Sequence, residues 1–148
     1  MFARGLHLPA GFELGHGVAY VAQMPNLVAL ADTDGDDVAD KSEVLLRGFG
    51  TEDSHHAISA FTWDPAGGFY CQEGTFHHSQ VETPWGPLRV HDGAVFRSDP
   101  RRSRLSVHTP WGSTTLGARV RWLGPGPDRR CVGWRQLPGR ADADAHAV

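Results

Sequence analysis

Residues 18–30 read Val-Ala-Tyr-Val-Ala-Gln-Met-Pro-Asn-Leu-Val-Ala-Leu, two short apolar runs separated by a turn-forming Met-Pro-Asn. Similar runs recur along the chain, with clusters of proline, glycine and aspartate between them, at residues 44–46, 60–63, 68–71, 88–90, 94–97 and 104–108. Short strands at this spacing are typical of a sandwich, a barrel or a propeller, so the sequence predicts an all-β fold. A four-stranded propeller blade takes about 40–45 residues. Residues 1–112 would then form a partial β-propeller of about two to three blades.

The composition fits one globular domain and excludes several classes of protein. The chain has 148 residues, of which 40% are hydrophobic, and its 18 glycines and 10 prolines disfavour long helices. No apolar run approaches the roughly 18 residues of a transmembrane segment, and residues 1–9 lack the core of a signal peptide. The net charge of −3 argues against nucleic-acid binding. Cys71 and Cys131 lie far apart, so they predict no zinc site or disulfide framework.

The charge changes sign near residue 112. Residues 1–112 carry 8 basic and 14 acidic residues, a net charge of −6, whereas residues 113–148 carry 6 arginines and 3 aspartates, a net charge of +3. Residues 113–148 show little helical or strand periodicity, so we expect a propeller fragment over 1–112 and an irregular tail over 113–148. Disorder is one interpretation of this tail. Translation in the wrong reading frame after residue 112 is the other.

A twelve-residue acidic stretch from Asp32 to Glu43 has the spacing of an EF-hand calcium loop. Side chains at positions 1, 3, 5, 9 and 12 and the carbonyl at position 7 are the expected ligands: Asp32, Asp34, Asp36, Asp40, Glu43 and Val38. Position 6 is Asp37 instead of glycine, and aspartate tolerates the left-handed backbone required there better than most residues. The sequence therefore predicts a rigid calcium site between strands. A solvated acidic turn is the alternative.

Two pairs of adjacent histidines, His55-His56 and His77-His78, fall in polar segments between predicted strands. Loops of this kind concentrate functional residues, and a histidine beside a carboxylate such as Glu52 can serve as a general base near neutral pH. The alternative is that these histidines form hydrogen bonds that hold the loops in place. The pattern alone does not separate the two interpretations.

Residues 5–112 resemble the β-propeller of the membrane-bound dehydrogenase family, which is related to the glucose/sorbosone dehydrogenases. Five stretches carry the resemblance: Leu-Pro-Ala-Gly-Phe-Glu-Leu-Gly at 8–15, Gly-Val-Ala-Tyr-Val at 17–21, Asp-Thr-Asp-Gly-Asp at 32–36, Gly-Phe-Gly-Thr-Glu-Asp-Ser-His-His at 48–56 and Gln-Glu-Gly-Thr-Phe-His-His-Ser-Gln-Val-Glu-Thr-Pro-Trp-Gly at 72–86. The resemblance over residues 5–112 covers about three quarters of the chain. The resemblance implies a quinoprotein that oxidises a sugar or another small-molecule alcohol.

The same resemblance assigns roles to the histidines. His56 matches the catalytic histidine of the sugar dehydrogenases, although Ser59 and Ala66 depart from the pattern that follows it. His56 would remove the proton of the substrate hydroxyl, and His55, His77 and His78 would contact the cofactor pyrroloquinoline quinone. Full-length members of the family that the chain resembles often carry a cytochrome c domain, and the resemblance implies export to the periplasm or the membrane. This chain carries no CxxCH motif and no signal peptide.

Two other functions fit the same residues. The chain could belong to a non-catalytic β-propeller that calcium stabilises and that serves as a binding module. It could also be a truncated gene product with no function. Under the dehydrogenase interpretation we expect residues 1–148 alone to be inactive, because much of the pocket wall would be missing.

Overall fold

A computed structural model describes residues 1–99 and 104–110, and over these residues the fold is all-β, as predicted. The elements are ten strands and one short 3-10 helix, Ser54–His56. In chain order the strands are β1 (Pro9–Gly15), β2 (Val18–Gln23), β3 (Asn26–Ala31), β4 (Lys41–Arg47), β5 (Ser59–Trp63), β6 (Phe69–Glu73), β7 (His78–Val81), β8 (Leu88–His91), β9 (Ala94–Asp99) and β10 (Arg104–Pro110). The expected tail over 113–148 lies outside the described residues. Within the described residues, no helix is long and apolar enough to cross a membrane.

The strands form two four-stranded antiparallel sheets and a separate hairpin. The first sheet is a meander in the order β1-β2-β3-β4, and the second has the order β10-β9-β6-β5. Among the residues that the structure describes, strands β7 and β8 pair only with each other, so they form a hairpin inserted between β6 and β9. Without this insertion the second sheet is also a meander.

Two of the tight turns have a left-handed backbone at two consecutive residues. His16 and Gly17 join β1 to β2 with φ of 52° and 79°, and Asp92 and Gly93 join β8 to β9 with φ of 61° and 82°. Two consecutive residues with positive φ match the twist of the β1–β2 hairpin, and glycine adopts this backbone without strain. Strands β8 and β9 belong to different sheets, so the second turn returns the chain from the β7–β8 hairpin to the second sheet. The Asp92-Gly93 pair was a visible turn signal in the sequence.

One apolar cluster joins both sheets and the hairpin. The first sheet contributes Tyr20, Ala22, Leu27 and Leu46, the second Phe69, Cys71, Ala94 and Phe96, the hairpin Val81 and Val90, and the connecting segment Phe49 and Ile58. Strand β1 of the first sheet also contacts β5 of the second. The Trp63 indole N–H donates to the Leu14 carbonyl at 3.0 Å. A Cβ on Gly15 would lie 2.6 Å from the Trp63 ring, so glycine permits this approach.

Candidate functional site

The 3-10 helix Ser54–His56 presents the first histidine pair, and Asp53 caps it. The Asp53 carboxylate accepts the His55 backbone N–H at 2.7 Å, and its two oxygens lie 3.3 Å from His55 Nδ1 and 3.6 Å from His56 Nδ1. The His55 N–H lowers the pKa of Asp53, burial opposes this effect, and His56 adds to the lowering. Asp53 is therefore a carboxylate at neutral pH, placed beside both imidazoles.

The two neighbouring histidines differ in exposure. The His55 side chain is 90% exposed, whereas that of His56 is 24% exposed. The His56 ring stacks on Phe76 at a centroid distance of 5.6 Å, and its Nδ1 is buried without a hydrogen-bond partner. A Cβ on Gly74 would lie 2.7 Å from the Cβ of His56, so this glycine allows the close packing. His56 is thus a partly shielded imidazole held between an aromatic ring and a carboxylate.

His77 occupies a different environment from His56. It is fully buried, with Nδ1 2.9 Å from Glu73 Oε1 and Nε2 2.7 Å from the Asp53 carbonyl. Both ring nitrogens therefore contact protein groups in the interior. The contact of His77 with a cofactor stays a prediction, and in this structure the side chain is fully buried among protein groups.

His78 lies on the hairpin, and its side chain is exposed. Its backbone N–H donates to Glu52 Oε1 at 3.2 Å, and its ring meets that of His91 edge to face at 4.8 Å. Burial would raise the pKa of Glu52, but backbone N–H groups, including that of His78, and the nearby His77 lower it overall. The histidine loops therefore carry two carboxylates, Glu52 and Asp53, that are anionic at neutral pH.

The acidic loop brings three of its six predicted calcium ligands together. The carboxylate oxygens of Asp32, Asp34 and Asp36 lie within 4.8 Å of one another. Asp32 organises the turn by accepting the backbone N–H groups of Gly35 at 2.7 Å and Asp37 at 2.9 Å. The Gly35 N–H lowers the pKa of Asp32 most strongly, against a smaller opposing effect of burial. Three oxygens on one exposed loop are hard ligands of the kind that Ca²⁺ prefers.

Of the other three predicted ligands, Asp40 and Glu43 lie outside this group, and Val38 contacts it through its backbone N–H. Asp40 turns to Thr33 and accepts both its backbone N–H, at 2.8 Å, and its hydroxyl. Glu43 is part of β4, where it pairs with Ala29. Val38 donates its N–H to Asp36 Oδ1 at 2.8 Å. The backbone of Asp37 has a φ of 65°, the left-handed conformation expected at that position.

Three residues of this region were not predicted from the sequence: Glu73, Ser79 and Phe76. Glu73 ends the otherwise mostly apolar strand β6, and a carboxylate in such a strand is the one local signal that a polar partner is near. Phe76 is 61% exposed and has a φ of 74°, which is unusual for a bulky residue. No periodicity or spacing indicates that either side chain approaches the histidines.

The comparisons with known proteins give a family without an assigned activity. No curated protein and no solved structure matches the chain. One family model matches residues 1–124, which is more than three quarters of the sequence. The chain belongs to the family described as a domain of unknown function, DUF7133.

Proposed function

We propose that these residues are part of a β-propeller in a protein that oxidises a sugar or another alcohol. Two consecutive four-stranded meanders support the propeller, because each has the strand order of a blade. The contact between β1 and β5, the first strand of each sheet, also agrees with blades placed side by side around an axis. On this interpretation the β7–β8 hairpin is an insertion within the second blade.

The position of His56 carries the proposed activity. Alcohol oxidation requires a base for the hydroxyl proton and an acceptor for the hydride that leaves the carbon. The His56 imidazole is partly exposed, and the Asp53 carboxylate 3.6 Å from Nδ1 would stabilise the imidazolium that forms when the ring takes the proton. Phe76 packs on the ring and restricts its orientation. His56 is therefore the residue of this loop best suited to be the base.

The described residues do not fit pyrroloquinoline quinone, the cofactor that the resemblance implies. When bound, this quinone accepts the hydride of the substrate, and its carboxylates require cationic partners. The charged side chains of the histidine loops that reach the surface are instead the carboxylates Glu52 and Asp53, which would repel it. We therefore assign proton removal to His56. We assign no described residue as the hydride acceptor.

The test is dye reduction by the full protein that contains these residues, assayed with a panel of sugars and alcohols and added quinone and Ca²⁺. His56→Ala should lower turnover about 10²- to 10⁴-fold, the usual contribution of a general base. His55→Ala is the matched control, because this side chain is 90% exposed. Equal rates for wild type and His56→Ala would remove His56 as the base. Quinone-dependent dye reduction by residues 1–148 alone would contradict our expectation that this chain is inactive.

A calcium-stabilised binding module is the second candidate, favoured by the grouping of Asp32, Asp34 and Asp36. Calorimetric titration of the 148-residue chain with CaCl₂ should detect one site, and Asp34→Asn should weaken it. Glu82→Gln is the control for removing an exposed carboxylate elsewhere. Glu43→Gln separates two geometries: unchanged affinity supports the three-carboxylate group, and lost affinity requires β4 to shift toward the loop. Absence of binding to the wild-type chain would rule the site out.

A further inference from the structure

A buried polar network lies beneath the histidine loops and has no part in the proposed chemistry. Glu73 and His77 are fully buried, and Ser79 is nearly so. The oxygen Glu73 Oε1 accepts the Gly50 backbone N–H at 3.0 Å and the Ser79 hydroxyl, and it also lies 2.9 Å from His77 Nδ1. Buried polar groups at this density are costly unless their partners match them.

The partners of His77 indicate its protonation. Nε2 lies 2.7 Å from the Asp53 carbonyl, which can only accept a hydrogen bond, and 3.3 Å from the Asp53 backbone N–H, which can only donate one. The shorter contact, to the carbonyl, favours a hydrogen on Nε2. On the other side, Glu73 Oε1 accepts from the Gly50 N–H and the Ser79 hydroxyl, and it can bond to Nδ1 as an acceptor only if Nδ1 carries a hydrogen. Glu73 Oε2 is buried without a partner among the described residues, so the interactions of this side chain run through Oε1. An imidazole that donates from both nitrogens is cationic. Its charge is compensated by Glu73 at 2.9 Å.

Other titratable groups face the same network. Glu52 interacts with His77 electrostatically and favours the cation, and its own pKa is lowered in part by that interaction. The buried thiol of Cys71 lies near Glu73, and burial together with the Glu73 charge raises the pKa of this thiol. Cys71 is therefore neutral, and Glu52 adds negative charge on the side of His77.

Both members of the pair connect to groups that contact His56. His77 holds the carbonyl of Asp53, whose carboxylate caps the 3-10 helix and lies 3.6 Å from His56 Nδ1. Glu73 precedes Gly74, which packs against His56 and donates its N–H to the His56 carbonyl at 2.9 Å. The loop that carries His56 is thus anchored from two sides by one ion pair.

We propose that Glu73 and His77 form a buried carboxylate–imidazolium pair that positions Asp53 and His56. Glu73 and His77 act by positioning Asp53 and His56, and neither touches a substrate. Its role in catalysis rests on the proposed function, but its charge state and its effect on the loop do not. Replacing either member leaves a buried charge without its partner and releases the Asp53 cap.

The first test is ¹⁵N NMR of the histidine rings in the 148-residue chain. Both ring nitrogens of His77 should give the shifts of protonated nitrogen at neutral pH, with hydrogens that exchange slowly. His78 is the internal control, because its side chain is exposed and hydrogens on its ring nitrogens should exchange rapidly with water. A His77 ring with one unprotonated nitrogen at neutral pH would overturn the ion pair.

The second test measures amide exchange in the loop that carries His56, in the variants His77→Gln and Glu73→Gln. Losing the Asp53 cap should speed amide exchange at His55 roughly five- to tenfold. Loss of the contact signal between the His56 and Phe76 rings should accompany it, while amides of the first sheet keep their rates. Unchanged exchange at His55 in a folded His77→Gln chain would overturn the positioning role. If a variant does not fold, the wild-type ring spectra still decide the ion pair. Neither test needs substrate or quinone, so a failed oxidation assay would not affect either result.

Discussion

At the scale of single residues, Asp64 shows how one carboxylate holds a turn. It accepts the Gly68 backbone N–H at 2.7 Å, and Oδ2 lies 2.9 Å from an Arg97 nitrogen. Burial would raise the pKa of Asp64, but the Gly68 N–H and the Arg97 guanidinium outweigh burial and lower it. The Asp64 side chain thus links the β5–β6 turn to strand β9.

The lowered pKa of Asp64 predicts a loss of stability in acid. The pKa of Asp64 in the folded state lies below its unfolded value of about 3.9. The stabilisation by the ionised carboxylate is therefore complete above that pH and disappears as the pH falls through the folded pKa. At pH 7, Asp64→Asn should lower the free energy of unfolding by about 1–3 kcal/mol. Urea denaturation at pH 7 and pH 3 would measure both effects. Equal losses at the two pH values would contradict this assignment, and Glu82→Gln controls for removal of an exposed carboxylate.

The loop residue Asp37 provides a second test at this scale. Its φ of 65° is a left-handed backbone, which costs an ordinary L-residue roughly 1–2 kcal/mol. Glycine avoids that strain, so Asp37→Gly should leave stability unchanged or raise it, whereas Asp37→Val should lower it by at least about 1 kcal/mol. Thermal unfolding of the two variants would compare them. A Val variant as stable as the Gly variant would exclude a left-handed residue 37.

At the scale of elements, the turn between β8 and β9 depends on Gly93. A Cβ at this position would lie 2.2 Å from the Gly74 carbonyl oxygen, and φ is 82°. Gly17 has nearly the same φ, 79°, but faces open space. A substitution at Gly17 therefore tests backbone strain alone, whereas one at Gly93 tests backbone strain together with steric crowding.

Alanine substitutions at Gly17 and Gly93 should lower the free energy of unfolding by different amounts. Gly17→Ala should destabilise the chain by roughly 1–2 kcal/mol, the price of a left-handed L-residue. Gly93→Ala should cost more, because the new methyl group displaces the backbone at Gly74, next to the His56 loop. Denaturant unfolding would measure both free energies. Similar losses of unfolding free energy in the two variants would mean that the β8–β9 turn accommodates the methyl group by a small backbone shift.

At the scale of the whole molecule, the shared apolar cluster makes the two sheets one folding unit. Ile58 is fully buried in it, between the histidine loop and the second sheet. Ile58→Ala should lower the free energy of unfolding by about 2–5 kcal/mol, whereas the exposed Val44→Ala should change it by less than about 0.5 kcal/mol. Amide exchange in β3 and β9 should accelerate together in the Ile58 variant. Faster exchange in only one sheet would show that the sheets unfold independently.

Local chemistry was sufficient for much of the fold. The apolar runs predicted eight of the ten strands in place, including β2 and β3, because alternation and turn residues act over a few positions. The missed strands, β1 and β7, are rich in glycine or polar residues and extend only because neighbouring strands pair with them. Whether the sheets complete a propeller stays a prediction.

The sequence by itself determined the all-β class, the Asp92-Gly93 turn and the left-handed residue in the acidic loop, since each depends on neighbours in the chain. Only the tertiary structure decided the insertion of the β7–β8 hairpin and the contact of Asp53 with His77, 24 residues apart. It also separated His56, partly exposed, from His77, buried with Glu73. Two His-His pairs look equivalent in sequence, but burial and hydrogen-bond partners come from distant segments, and those partners give the two histidines different chemistry.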